Sequence, residues 1–288
     1  MSRHGKSGFT VIETMIFLVV SAGVFAGGVA AYGDRQREVA FTQGVREFQS
    51  QLETVISDVS SGNYVPSPRT CKTPSASSDP IFPAISVIGN GECIYLGKAL
   101  AVADGTGCAA TAAGKENCTN FSIIPIVGRR LVGNNATDPN VSTFAEAKTL
   151  AVDGSGSAPD LKVKLGLTNG LSIYRVFERD ASGNINGLVM TAFTSSLSNS
   201  SNFDTLNGSN AVDLVVMPIS SPLTDAVARQ AIKDLRTAPA TAINPPHGVA
   251  YCIIGGNNQR AVITVGAGQR NTDVVVQATD ALDPGCTI

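Results

Sequence analysis

The sequence predicts an α+β fold, a long N-terminal helix packed on an antiparallel β-sheet head, and three observations predict it. An apolar run fills residues 9–32, and a second run continues from it with apolar residues at steps of three and four. Beyond about residue 92, short strand-like runs follow turn signals, with a single amphipathic stretch among them. Strands joined by short links pair antiparallel, and a helix segregated from them in sequence gives α+β rather than alternating α/β.

The chain has 288 residues, of which 43% are hydrophobic and 15% charged, enough to build a core. Its formal net charge of −2 gives no support for a nucleic-acid partner held by phosphate electrostatics. Residues 1–8, "MSRHGKSG", carry Arg3, His4 and Lys6 and no acid. Basic residues before an apolar run stay cytoplasmic, which directs the remainder outward as a single-pass protein of the cytoplasmic membrane. No A-x-A site follows the run, so an ordinary cleaved secretory signal is not expected.

Residues 9–32 would make a helix of about 36 Å, long enough to span a bilayer. It holds one acid, Glu13, and a carboxylate in hydrocarbon is costly unless paired or near the interface. Residues 33–62 continue the helix. Phe41, Val45, Phe48, Leu52, Val55, Ile56 and Val59 share one face, and Arg37, Glu38, Gln43, Arg46, Glu47 and Gln51 lie opposite. Glycines at 23, 27, 28, 33 and 44 weaken the helix by about 1 kcal/mol each. Two readings compete: close approach of neighbouring helices, or local melting between Gly23 and Gly33 when subunits pack.

Residues 63–288 form the head. Residues 62–91 read as a Pro/Ser-rich connector without regular structure. Strands are expected in "ECIYLGKALAV", "TNFSIIPIVGRR", "LKVKLGL", "LSIYRVFER", "INGLVMTAF", "AVDLVVMPI", "HGVAYCIIGG", "QRAVITVGAG" and "TDVVVQAT", with a hairpin at "GGNN". Leu223–Arg236 is the amphipathic helix, capped by Thr224 or Asp225, with Val227, Ala231 and Leu235 on its apolar face. Residues 133–160 read as exposed loop. The six cysteines all follow the apolar segment and form no C-x-x-C pair, which points to disulfides in an oxidising compartment over a zinc or redox site. Among the connectivities open to six cysteines, the pairing of sequence neighbours is preferred: Cys71–Cys93, Cys108–Cys118 and Cys252–Cys286. Reduced thiols are the alternative.

The run "G-F-T-V-I-E" from Gly8 to Glu13, with its basic leader and following apolar helix, resembles the N-terminal processing signal of type IV pilins and type II secretion pseudopilins. The resemblance covers about a tenth of the chain, and Ser7 stands where Lys or Arg is commonest. It implies cleavage by a prepilin peptidase between Gly8 and Phe9 and N-methylation of Phe9. Glu13 becomes the fifth mature residue and pairs with the terminal amine of a neighbouring subunit. It further implies a pilin-like fold and self-assembly with other pilins on an assembly platform. The product would be a cell-surface filament or fimbrium for adhesion, motility or DNA uptake, or a secretion pseudopilus. Many type IV pilins carry a proline in mid-helix; "GGVAAYG" has none. Cys252–Cys286 is similar to the disulfide that bounds the C-terminal region of many pilins.

No enzyme is expected. There is no G-x-S-x-G, P-loop or H-E-x-x-H, and His247 alone has no obvious nucleophile or metal partner. No cofactor is expected either. Calcium at Asp273, Asp280 and Asp283 is the alternative, since some pseudopilins bind it in their C-terminal loop, but the EF-hand spacing is missing. Arg129, Arg130, Arg229, Lys233 and Arg236 read as solvated surface charge rather than a DNA-binding patch. A membrane-tethered binding protein that never polymerises is the competing reading from another class.

Overall fold

The computed structural model describes residues 10–61, 79–80, 93–102, 108–110, 116–133, 138–154, 160–179, 185–186, 188–195, 212–219, 223–237, 243, 245, 247–256, 259–266, 272–278 and 286. Helix α1 spans Val11–Ser61, 51 residues without a break, or about 76 Å of rise. It stays helical through Gly23, Gly27, Gly28, Gly33 and Gly44, so the single chain has no melted turn there.

Thirteen strands follow among the described residues. They are β1 (Cys93–Val102), β2 (Cys108–Ala110), β3 (Glu116–Cys118), β4 (Asn120–Arg129), β5 (Leu150–Ala151), β6 (Val163–Gly166), β7 (Ser172–Arg179), β8 (Ile185–Asn186), β9 (Leu188–Ser195), β10 (Val212–Ile219), β11 (Val249–Ile254), β12 (Arg260–Val265) and β13 (Val274–Ala278). The expectation of one antiparallel sheet is corrected: among the described residues there are two. The first runs β10-β9-β1-β4-β5 with β6 also on β4, and the second runs β13-β12-β11-β7-β3-β2 with β8 on β7. Every pairing is antiparallel.

The split has a local cause. The run read as one strand, "INGLVMTAF", is two: β8 pairs with β7 in the second sheet and β9 pairs with β1 and β10 in the first. The chain therefore crosses between sheets between Asn186 and Leu188. Short-link reasoning finds neighbours such as β11 and β12 but is blind to β1–β9 and β7–β11, whose partners lie far apart in sequence.

The distal part of α1 lies in the main core, against residues from both sheets. Val45, Phe48, Leu52, Val55 and Val59 are buried with Leu100, Phe121 and Phe193 of the first sheet and Ile173, Tyr251 and Ile263 of the second. The Phe48 ring meets Phe121 and Tyr251 edge-on, at centroid distances of 5.2 and 5.7 Å, geometries that aromatic pairs favour. Thr191 of β9 and Tyr251 of β11 share a buried hydrogen bond of 2.6 Å, which ties the two sheets together. At the far end of the helix, Asp58 accepts from the mostly buried ammonium of Lys98 on β1.

The other face of the first sheet is covered by two short helices. Helix α3 spans Asp225–Asp234, and its N-cap Thr224 accepts from the Val227 amide; a 3₁₀ turn, Leu235–Thr237, follows. Ala228, Ala231, Ile232 and Leu235 are buried there against Ala99, Ile124, Ala192 and Val215. The second helix, α2 (Phe144–Ala147), overturns the exposed-loop reading of residues 133–160 over their described part. Thr143 and Glu146 close a capping box, and Val141, Ala147, Thr149, Ala151 and Val152 are buried. The T-x-x-E signal was present in "TFAE", but one helical turn is too short to show a 3.6-residue period. Backbone and side-chain hydrogen bonds from Ser142 and Thr143 hold the Glu146 carboxyl below its usual range.

Candidate assembly helix

The site is the exposed first part of α1, and the chain's own packing defines where it ends. From Phe41 onward, every third or fourth residue turns into the head. Gly44 marks the tightest approach: a Cβ there would lie 2.6 Å from Leu171 Cδ1 and 3.2 Å from the Thr168 carbonyl. Beside it, the Thr168 hydroxyl donates to Glu47 (2.6 Å). Phe41 in turn requires Gly255 in the β11–β12 turn, where a Cβ would fall 2.4 Å from the ring. That glycine of the "GGNN" stretch serves packing as well as the turn.

Over Val11–Gly28 no described residue outside the helix buries it. Val11–Gly28 is apolar and long enough to cross a membrane, with a mean hydropathy of 1.9, and none of it is buried. Ile12, Phe17 and Phe25 are each more than 70% exposed. For comparison, an apolar patch of a few hundred Å² is already large for a monomer. Gly23, Gly27 and Gly28 meet nothing within 4 Å.

Glu13 lies at the start of this surface and is exposed. Thr10 precedes the first helical residue, and its hydroxyl and carbonyl both accept from the Glu13 amide, at 3.3 and 3.1 Å. Glu13 therefore occupies the third helical position after a threonine cap, where a carboxylate interacts favourably with the helix dipole. This local role was legible in "TVIE", which has the T-x-x-E spacing of a capping box, yet the apolar run around it drew attention to the charge alone. Gly8 and Phe9 lie outside the described residues.

The remaining sequence candidates are dispersed. Cys252 and Cys286 form a disulfide on the outer face of the second sheet, with a Cα–Cα distance of 5.6 Å, and the Tyr174 hydroxyl donates to the Cys286 carbonyl. Cys93 and Cys118 are each disulfide-bonded, and no cysteine among the described residues is free. The β2–β3 register sets Cys108 opposite Cys118, in a short antiparallel pair that the expected strands did not include. Cys71 lies outside the described residues.

Comparison with protein-family models, with curated proteins and with solved structures returns no match for this chain.

Asp273 joins the β12–β13 link, its carbonyl accepting from Gly266, while Asp280 and Asp283 lie outside the described residues. Among the described residues no group of three His, Cys, Asp or Glu side chains is placed to hold a metal. His247 is exposed in a turn. The reading of the basic residues as solvated surface charge is corrected for three of them. Arg129 is 1% exposed and donates to the carbonyls of Val132 and Gly133 at 3.1 and 3.0 Å. Arg236 bridges Asp79 and the Thr149 carbonyl, both at 2.7 Å, and Arg229 lies 3.5 Å from the buried Asp153 carboxylate. Alternation in "SIIPIVGRR" does not distinguish a side chain that folds back onto its own turn from one that reaches into water. The neighbouring turn at Val132–Gly133 supplies two carbonyls that take the Arg129 guanidinium inside.

Proposed function

We propose that this chain is a structural subunit of a type IV pilus-like filament, cleaved after Gly8 and assembled through the first half of α1. One observation carries the reading: an exposed apolar helix of membrane-spanning length, with one acid at its start, runs without a break into a folded head. A chain with that surface needs a partner for it both before and after leaving a bilayer. A helical bundle of its own kind meets that need, and the resemblance of "GFTVIE" to the prepilin signal names the route. Cleavage frees the Phe9 amine, and Glu13 pairs with that amine on an adjoining subunit. In low dielectric an unmatched charge is heavily penalised, so the pair sets the stagger. The subunit would sit in the cytoplasmic membrane before assembly and on the cell surface after it.

The pseudopilus of a type II secretion system is the related reading, and it shares every step up to the length of the fibre. A tethered binding protein that never polymerises is the reading to exclude.

The test separates charge from capping. Glu13→Gln keeps a side chain able to complete a capping box but removes the charge. The expected outcome is a mature chain beginning at N-methylated Phe9 by mass spectrometry, with Glu13→Gln lost from sheared filaments while its head remains folded. An intact Met1, together with undiminished fractionation of Glu13→Gln, would leave only the tethered reading standing.

A further inference from the structure

Past the apolar segment, one line along the exposed side of α1 carries charge in a definite order, with the exposed Glu38 about 60° to its side. Arg35 and Arg46 come first and Glu53 comes later, and all three are exposed. On a helix of 3.6 residues per turn, these three lie within about 20° of one another around the axis. Glu13, Phe17 and Gly28 fall within about 60° of the same line, so one stripe runs from the membrane-spanning part onto the head-bound part. Arg35 and Arg46 make no ion pair or hydrogen bond with any described residue, and Glu53 accepts only from Gln49 on its own helix (2.8 Å). The opposite side of the same turns is filled: Val45, Phe48 and Leu52 are in the core, and Glu47 and Asp58 are bonded to the head.

We infer that this stripe is a second contact between copies of the chain, in which Arg46 of one copy pairs with Glu53 of the copy beneath it. The inference rests on the filament reading above and deepens it. A stripe with base before acid is complementary to itself after a shift along its axis. Arg46 and Glu53 are seven residues apart, which corresponds to a shift of about 10 Å. The direction matches that of the first pair, where the Phe9 amine also precedes its acid, Glu13, four residues on. That pair asks for about 6 Å along the same axis. The difference of about 4 Å is less than the length of an arginine side chain, whose aliphatic stem can lie along the neighbour while its head reaches the acid. Arg35, further down, adds positive charge on the same side as the stripe descends to the apolar half. A uniformly anionic lipid surface fits this arrangement less well, because Glu53 and the basic pair occupy one line and would be attracted and repelled together.

Exchange of charge tests the inference in the full-length chain, expressed as the only copy of this subunit. Arg46→Glu and Glu53→Arg are each expected to lower recovery in sheared filaments about tenfold, since each creates a like-charge contact at every subunit. The double exchange is expected to restore recovery to within about threefold of the parent, because only the sign of the pair has changed. Arg46→Gln should give an intermediate loss, and raised salt should narrow the gap between it and the parent. Recovery unaffected by either single exchange, or a double exchange as poor as the singles, overturns the pairing. Glu13→Gln run in parallel keeps the two ideas apart. If it is lost from filaments while the exchanges have no effect, the filament reading stands and this contact is wrong. If the mature terminus is Met1 and Glu13→Gln fractionates normally, the filament reading falls and takes this contact with it.

Discussion

The two halves of α1 share one backbone and one unbroken run of hydrogen bonds, yet they answer to different surroundings. In the distal half every unusual residue has its reason within the chain. Gly44 is small because Leu171 and the Thr168 carbonyl press against it, Phe41 sits over Gly255, and Asp58 holds Lys98. In the proximal half, Gly23, Gly27 and Gly28 each cost helix stability, about 1 kcal/mol relative to alanine, and touch nothing. The same residue type is explained by contact in one half and unexplained in the other. Whatever favours glycine in the proximal half is not a contact with the described residues.

The sharpest way to break that comparison is to make one substitution twice. Phe48→Ala removes a ring that is 1% exposed and packed on two aromatic partners, and should cost about 3–5 kcal/mol of head stability. Phe25→Ala removes an identical ring that is 74% exposed and should leave head unfolding within about 0.5 kcal/mol of the parent. Denaturant titration in detergent, followed by near-ultraviolet dichroism, reads both. Comparable losses would mean that the proximal half supports the head and that the division drawn at Phe41 is misplaced.

This division was largely legible in the sequence, because steps of three and four report burial directly: Val45, Phe48, Leu52, Val55 and Val59 are all in the core. The strand segments were legible for the same reason at period two. In β11, Val249, Tyr251 and Ile253 face the main core while Ala250 and Cys252 face the opposite side. What the residues could not reveal is pairing between distant segments. Nothing in "INGLVMTAF" says that its two parts belong to different sheets, since the crossing depends on partners in β1 and β7. Arg129 shows the same limit for a single side chain: its type argues for solvent, and only the fold supplies the carbonyls that take it inside. At the candidate site the charge of Glu13 was read and its place after the Thr10 cap was not, because an apolar window hides a polar spacing.

A smaller effect sharpens the contrast between the glycines. Gly44→Ala gains about 1 kcal/mol in helix propensity, but its Cβ must displace Leu171, which is wholly buried. Overpacking of this kind costs about 1–3 kcal/mol, so a net loss of about 1 kcal/mol in head stability is expected. Gly23→Ala adds the same methyl group to open space. It should leave head stability unchanged and raise the helicity of the proximal half in detergent, with any penalty appearing only in assembly. A stabilised Gly44→Ala head would show that Leu171 yields easily and that the close approach there is not a constraint.

A last contrast needs no substitution in the helix at all. Tyr251 forms part of the floor on which Phe48 rests, and it is wholly buried with a single polar partner, Thr191. Burial pushes its hydroxyl well above the ordinary value near 10, with the Thr191 bond opposing only in part. Below about pH 10 the folded and unfolded chains both keep this proton, and the contribution of Tyr251 to stability is complete. Above that point the unfolded chain releases it while the folded chain does not, so stability falls by about 1.4 kcal/mol per pH unit until the folded value is passed. Burial raises the Tyr174 hydroxyl too, against the nearby charges of Arg260 and Arg175, and adds to the fall in the same direction. Tyr251→Phe removes one of these two slopes. Its stability at neutral pH should be lower than the parent's by about 1 kcal/mol for the lost bond, and should then decline less steeply above about pH 10. The proximal half holds no buried tyrosine, and its helicity should not follow the head through this range. If the parent and Tyr251→Phe decline in parallel, water already reaches Tyr251, and the seat of the distal half is less closed than Phe48 and its neighbours imply.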